Sequence, residues 1–176
     1  MSLPRRKNEK RLGQILNPAL AAAVAELGHG DIFMVVDAGF PIPRSTYRID
    51  LAVDAGIPLI HQVVALLLRH VFVECMSPSE EMRSNNPRHF AAIMEQFRGS
   101  GAALDVVPHS RLVQQAADSA KLIVRTGDFA AWGSISMVAS TEPQAWFTDA
   151  AIADGLVMPA DYRTRIARIE AKDLPR

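Results

Sequence analysis

The sequence predicts a single α/β domain of three layers, with helices on both faces of a mostly parallel sheet, followed by a C-terminal extension. Short β-branched apolar runs alternate along the chain with segments rich in helix-forming residues, a pattern typical of strand–helix–strand units. The chain has 176 residues, of which 49% are hydrophobic and 22% charged, as expected for an ordinary globular domain of this length.

The first helix and strand are the most clearly marked elements. Asn17-Pro18 supplies an N-cap and a first helical residue, and Gly28 ends the helix that follows. Residues 32–36 are apolar and β-branched, which predicts a buried strand that closes at Asp37. Further strands are predicted at 47–53, 71–74, 104–107, 122–126 and 134–139, and further helices at 60–69, 79–82, 87–97 and 110–117.

Composition divides the chain into three parts. We predict a domain over residues 12–140, a basic N-terminal arm over residues 1–11 and a C-terminal extension over residues 141–176. The arm is interpreted as solvated, with anion contact or assembly as the alternative. The extension carries mixed charge and is predicted to be partly helical. It could cover a subunit contact or a site entrance, or it could be a solvated helix.

Charge and cysteine content narrow the possible partners. Nineteen basic residues balance nineteen acidic ones, so no net positive field attracts nucleic acid and self-association is not opposed. Cys75 is the only cysteine, which excludes an intramolecular disulfide and favours a reducing, cytoplasmic setting. The most apolar stretch, residues 57–68, is too short to span a bilayer, so no membrane partner is predicted.

Two histidines lie where loops meet strands. His29 sits in Gly28-His29-Gly30-Asp31 between the first helix and strand, where flanking glycines leave its imidazole uncovered. It is a candidate acid/base group; the alternative is a histidine that caps a helix C-terminus. His109 follows a predicted strand and could bind a ligand or only begin a helix. The first strand would place His29 and Asp37 at opposite ends.

Motifs for other chemistries are missing from the sequence. It contains no His-Glu-x-x-His, Cys-x-x-Cys, dinucleotide fingerprint or Gly-x-Ser-x-Gly elbow. Cys75 follows an apolar strand and is interpreted as a small buried hydrophobe rather than a nucleophile. Neither a metal site nor a cofactor is therefore predicted.

Several short segments follow one another within about residues 12–140. They are Leu27-Gly28-His29-Gly30-Asp31, Val36-Asp37-Ala38-Gly39-Phe40-Pro41-Ile42-Pro43, Arg48-Ile49-Asp50, Glu80-Glu81-Met82, Asn86-Pro87, Pro108-His109, Gln114-Gln115 and Val124-Arg125-Thr126-Gly127-Asp128. In this order and spacing they resemble the D-ribose pyranase and L-fucose mutarotase family. The stretch from Asp37 to Pro43, with the Arg-Ile-Asp that follows, is more similar to the ribose branch.

The resemblance implies a mutarotase or pyranase that opens and recloses a monosaccharide ring, with ribose, fucose or a related sugar as substrate. It implies a ring-shaped homo-oligomer, commonly a decamer, with sites at subunit contacts. By position, His29 matches the proton donor, and Asp37 and His109 match sugar-binding residues. Trp132 and Ser134 occupy positions where the family commonly has Tyr-x-Asn. Both are predicted to bind the sugar, with Trp132 packed against its ring. A non-catalytic sugar-binding or sensory homo-oligomer is the alternative function.

Overall fold

The computed structural model of the chain describes residues 14–176, and the predicted basic arm lies outside the described residues. Six strands form one sheet in the order β2-β5-β1-β6-β3-β4. They are β1 (Ile32–Val36), β2 (Arg48–Asp50), β3 (Phe72–Pro78), β4 (Ala103–Leu104), β5 (Ala120–Arg125) and β6 (Ile135–Ser140). The helices are α1 (Pro18–Ala25), α2 (Ile60–Leu67), α3 (Glu80–Asn85), α4 (Pro87–Gln96), α5 (His109–Asp118), α6 (Pro143–Trp146), α7 (Asp149–Ala153) and α8 (Ala160–Ala171).

The sheet is mostly parallel, as predicted. β1 pairs in parallel with β5, β5 with β2, and β3 with β4. β6 is antiparallel to both of its neighbours, β1 and β3, so it runs against the other five strands. We call the edge where β1 ends the carboxyl edge and the edge where β1 begins the amino edge.

Both faces of β1 are buried, which is why its sequence is continuously apolar. Phe33 and Val35 belong to the larger core cluster, beneath α1, α2 and α4. Met34 and Val36 pack on the opposite face with Leu112 of α5. The three predicted layers are therefore present, with β1 at the centre of the sheet.

Most predicted elements differ from the structure by one to three residues at their ends, and three strands have limits that the structure explains. Strand β2 stops at Asp50 because the Asp50 carboxylate accepts a hydrogen bond from the Ala52 N–H at 3.1 Å and turns the chain. Strand β3 continues past Glu74 to Pro78 because these residues pair with β6. Strand β4 is only two residues long, and Val107 instead forms an isolated bridge with Ser79.

The C-terminal extension contains α6, α7 and α8, and its last residues lie against the β4 edge of the sheet. The backbone N–H of Leu104 donates to the carbonyl of Arg176 at 3.0 Å, and that of Gly99 donates to Asp173 at 2.8 Å. Arg165 of α8 is only 8% exposed. Helix α8 is therefore packed on the domain rather than solvated. Within residues 14–176 no helix combines the length and apolar character needed to cross a bilayer.

Gly127 lies at the carboxyl edge, where a larger side chain should destabilise the protein. A Cβ at this position would lie 2.3 Å from both the Asp54 and Ile57 carbonyl oxygens, which are backbone atoms that cannot swing aside. We expect Gly127→Ala to lower the free energy of unfolding by about 1–3 kcal/mol in denaturant titrations. Gly28→Ala is the control, because its Cβ would meet only ordinary contacts. Equal effects of the two substitutions would contradict the packing argument.

Candidate functional site

His29 lies at the amino edge, in the turn between α1 and β1. Gly30 has a φ of 85°, a left-handed conformation that glycine adopts without strain. The Asp31 carboxylate closes the turn, since Lys121 Nζ and the Gly28 N–H each donate to its Oδ2 at 2.6 Å. These two contacts hold the pKa of Asp31 below its usual value. The turn presents the His29 side chain to solvent, where it is 49% exposed.

Two polar side chains face the two nitrogens of His29. Nδ1 is 3.4 Å from the hydroxyl oxygen of Ser140, at the end of β6. Nε2 is 3.8 Å from Oε2 of Glu74, in β3. The pairing of β3 with β6 shifts register between Val73 and Cys75, so Glu74 lies at a β-bulge. Bulges re-aim side chains, and this one accompanies the approach of Glu74 to His29.

A cleft of about 380 Å³ opens beside this group, between α8 and strands β3 and β4. Its lining includes Glu74, Cys75, Tyr162, Arg165 and Arg168. Burial, reinforced by the nearby Asp105 carboxylate, raises the pKa of the Cys75 thiol. A raised pKa disfavours the reactive thiolate. Cys75 is half-buried on the lining of this cleft rather than buried as predicted.

Asp37 lies at the carboxyl edge, directly after β1, and forms two hydrogen bonds with Ser134. The Ser134 hydroxyl donates to Asp37 Oδ2 at 2.6 Å and accepts from the Asp37 N–H at 3.0 Å. The Gly39 N–H donates to the other carboxylate oxygen at 2.9 Å. Ser134 is fully buried, and both hydrogen bonds of its hydroxyl are to Asp37.

His109 is the first residue of α5, at the same edge. Its backbone N–H donates to Glu81 Oε2 at 2.8 Å, and its ring meets the edge of Phe40 with centroids 5.8 Å apart. The ring nitrogen Nδ1 is buried and has no hydrogen-bond partner among residues 14–176. A buried nitrogen without a partner is uncommon in folded proteins, and a bound ligand or water would satisfy it.

Trp132 stands two residues before Ser134 and is 39% exposed. Its φ of 54° is left-handed, which is uncommon for a bulky side chain. The backbone on either side is held, because Asn86 Nδ2 donates to the Ala131 carbonyl at 3.1 Å and His89 Nε2 lies 3.3 Å from the Gly133 carbonyl. An indole is therefore presented at the carboxyl edge.

The structure groups the predicted site residues into two sets. Asp37, His109, Trp132 and Ser134 belong to the carboxyl edge, whereas His29 lies alone at the amino edge. The intervening strand β1 has five residues and spans roughly 16 Å at 3.3 Å per residue. Within residues 14–176 no group of three His, Cys, Asp or Glu side chains is arranged to hold a metal ion.

The sequence analysis missed Glu74 and Ser140 as neighbours of His29, and Arg165 as the residue that binds Ser140. Glu74 carried a usable signal, since a carboxylate inside an otherwise apolar strand is unusual. Ser140 was only the last residue of a predicted domain. Arg165 gave no signal, because several arginines occur in the same mixed-charge segment.

Comparison with known proteins gives consistent matches. A family model described as the RbsD / FucU transport protein family matches residues 10–141. D-ribose pyranase 1 of Streptomyces griseus is 39% identical over 157 residues, covering 89% of this chain and 99% of that protein. D-ribose pyranase 2 of Rubrobacter xylanophilus is 38% identical over 156 residues, covering 89% and 97%.

Solved structures show the same architecture. Bacillus subtilis RbsD complexed with D-ribose superposes with a TM-score of 0.68 at 29% identity, covering 73% of this chain and 95% of that chain. The fucose mutarotase from Streptococcus pneumoniae, in complex with L-fucose, superposes with a TM-score of 0.65 at 16% identity, covering 76% of this chain and 99% of that chain. At this identity the match supports the fold alone. The chain therefore belongs to the RbsD / FucU family, as the ordered motifs predicted.

Proposed function

We propose that this protein is an isomerase that interconverts the ring forms of a monosaccharide, with His29 as its acid/base group. Its relatives named as D-ribose pyranases support this class of reaction. The observation that carries the proposal is an exposed imidazole flanked by a hydroxyl and a carboxylate. An imidazole can donate or accept a proton near neutral pH, and ring opening requires both.

The reaction requires proton transfer and no cofactor. Opening a cyclic hemiacetal protonates the ring oxygen and removes a proton from the anomeric hydroxyl, and reclosure reverses both transfers. The 3.8 Å between His29 Nε2 and Glu74 is too long for a direct hydrogen bond. A sugar oxygen could contact both groups at once. Protonated His29 would then donate its proton to the ring oxygen, and Glu74 would stabilise the positive charge of the imidazole. A water molecule would accept the proton that leaves the anomeric hydroxyl.

The carboxyl edge would bind the sugar. The Asp37 carboxylate can accept hydrogen bonds from sugar hydroxyls, because each oxygen keeps a free lone pair beyond its present contact. The unpartnered Nδ1 of His109 offers a second polar contact, and Trp132 offers an apolar face. For buried Ser134 we propose a narrower role than direct binding, namely orientation of Asp37.

A single sugar ring cannot bridge the two edges within one chain. A monosaccharide is far shorter than the roughly 16 Å length of β1. We therefore infer that the site is shared between copies, with His29 of one chain facing Asp37 of the next. A homo-oligomer follows from this arrangement, and the zero net charge does not oppose it.

The substrate is proposed to be ribose or a related sugar. The relatives named above are ribose pyranases, and one similar solved structure holds D-ribose. The rival proposal is a non-catalytic sugar-binding or sensory assembly. Both proposals expect sugar binding, but only the isomerase accelerates exchange between ring forms.

His29→Ala should abolish accelerated ring exchange and leave the fold intact. Removing a positioned acid/base group costs roughly 10²–10⁴ in rate. Saturation-transfer NMR on ribose, fucose and related sugars measures the exchange directly. His70→Ala, at an exposed position, is the control. A His29→Ala protein as fast as wild type would exclude His29, whereas a wild-type protein that binds sugars without accelerating exchange would favour the sensory assembly.

Ser134→Ala should weaken sugar binding several-fold, because Asp37 loses the hydroxyl that orients it. The loss of one hydrogen bond is worth about 0.5–1.5 kcal/mol. Isothermal titration with the best substrate measures the dissociation constant. Ser136→Ala is the matched control, since it removes a buried hydroxyl two residues further along β6. If both variants bind sugar equally well, Ser134 does not act through Asp37.

A further inference from the structure

Arg165 is a buried cation that the proposed reaction does not use. It lies on α8, beyond residue 141 where the family model ends. Its Nη1 donates to the Ser140 hydroxyl at 2.7 Å and its Nη2 to the Val73 carbonyl at 2.9 Å. The guanidinium also lies 5.8 Å from the centre of the Phe72 ring. One side chain therefore joins α8 to both β6 and β3.

Of the two acceptors, Ser140 is itself a neighbour of His29, and Val73 directly precedes the other neighbour, Glu74. Ser140 is itself the group that faces Nδ1, and Val73 directly precedes the bulge that carries Glu74 toward Nε2. A planar guanidinium presents donors in a fixed fork, so it can set the spacing between two acceptors. The fork therefore fixes the hydroxyl and the bulge relative to each other.

The burial of Arg165 has an energetic cost that its contacts must offset. Burial lowers the pKa of its guanidinium, and the nearby Glu74 carboxylate acts in the opposite direction. An arginine remains charged at neutral pH even so. An uncompensated buried charge is strongly unfavourable. The two hydrogen bonds and Glu74 offset part of this cost, while Nε has no hydrogen-bond partner among residues 14–176.

We propose that Arg165 is a positioning residue, through which the C-terminal extension holds Ser140 and Glu74 in place around His29. The inference rests on the proposed role of His29 and extends it to a helix outside the matched family region. The alignment with the Streptomyces griseus pyranase covers 157 residues of this chain. It therefore includes part of the extension.

The test compares Arg165→Met, Arg165→Lys and Arg163→Met in the full-length protein. Arg165→Met keeps an unbranched apolar stem but removes the charge and both hydrogen bonds. We expect kcat to fall roughly ten-fold or more, with KM changed less than about two-fold. Arg165→Lys keeps the positive charge without the planar guanidinium, so kcat should fall less than in Arg165→Met. Arg163→Met, at an exposed position on the same helix, should match wild type. A rise in KM with kcat unchanged would overturn the proposal.

Imidazole ¹⁵N NMR provides a readout that does not depend on turnover. The hydrogen bond at one ring nitrogen selects which nitrogen carries the proton. With the His29 signals assigned by their loss in His29→Ala, we expect Arg165→Met and Ser140→Ala to change them in the same way. The double variant, Arg165→Met with Ser140→Ala, should change the His29 signals no further than either single variant does. Unchanged His29 signals in Arg165→Met would overturn the proposal. A wild type that never accelerates exchange would instead refute the proposed function and leave this NMR comparison decisive for Arg165.

Discussion

Strand β1 runs through the centre of the sheet, with His29 before its first residue and Asp37 after its last. Its side chains are buried on both faces, so the strand can neither bend nor slide to bring those two residues together. The proposed acid/base group and the proposed sugar-binding residues therefore occupy opposite edges. A site that uses both sets needs two copies of the chain.

The single antiparallel strand serves both edges. Because β6 is antiparallel to β1, the first residues of β6 lie beside the last residues of β1, and the last residues of β6 lie beside the first residues of β1. Ser134, directly before β6, therefore donates a hydrogen bond to Asp37, and Ser140, the last residue of β6, faces His29. On the other side of β6, the bulge in β3 brings in Glu74, and Arg165 joins the bulge to Ser140. The core of the sheet thus connects the two proposed halves of the site.

Local patterns in the sequence predicted most of the fold. The β1 strand and the α1 helix were recognisable because apolar runs, the Asn17-Pro18 start and Gly28 act over a few residues. Strand ends were less accurate, since the limits of β2, β3 and β4 depend on pairing partners distant in the chain. For the same reason the role of Arg165 could not be found: it is separated by 92 residues from Val73, whose carbonyl accepts its hydrogen bond. The two-edge arrangement, by contrast, followed from strand length alone.

Mixed assembly tests the shared site most directly. Chains carrying His29→Ala and chains carrying Asp37→Asn, each expected to be inactive alone, would be co-expressed with different tags and purified as mixed oligomers. If each site combines His29 of one chain with Asp37 of the next, about a quarter of the sites in a random equal mixture contain both native residues. The account predicts that this fraction of wild-type ring exchange returns in saturation-transfer NMR. Mixed oligomers with no more activity than either variant alone would contradict it.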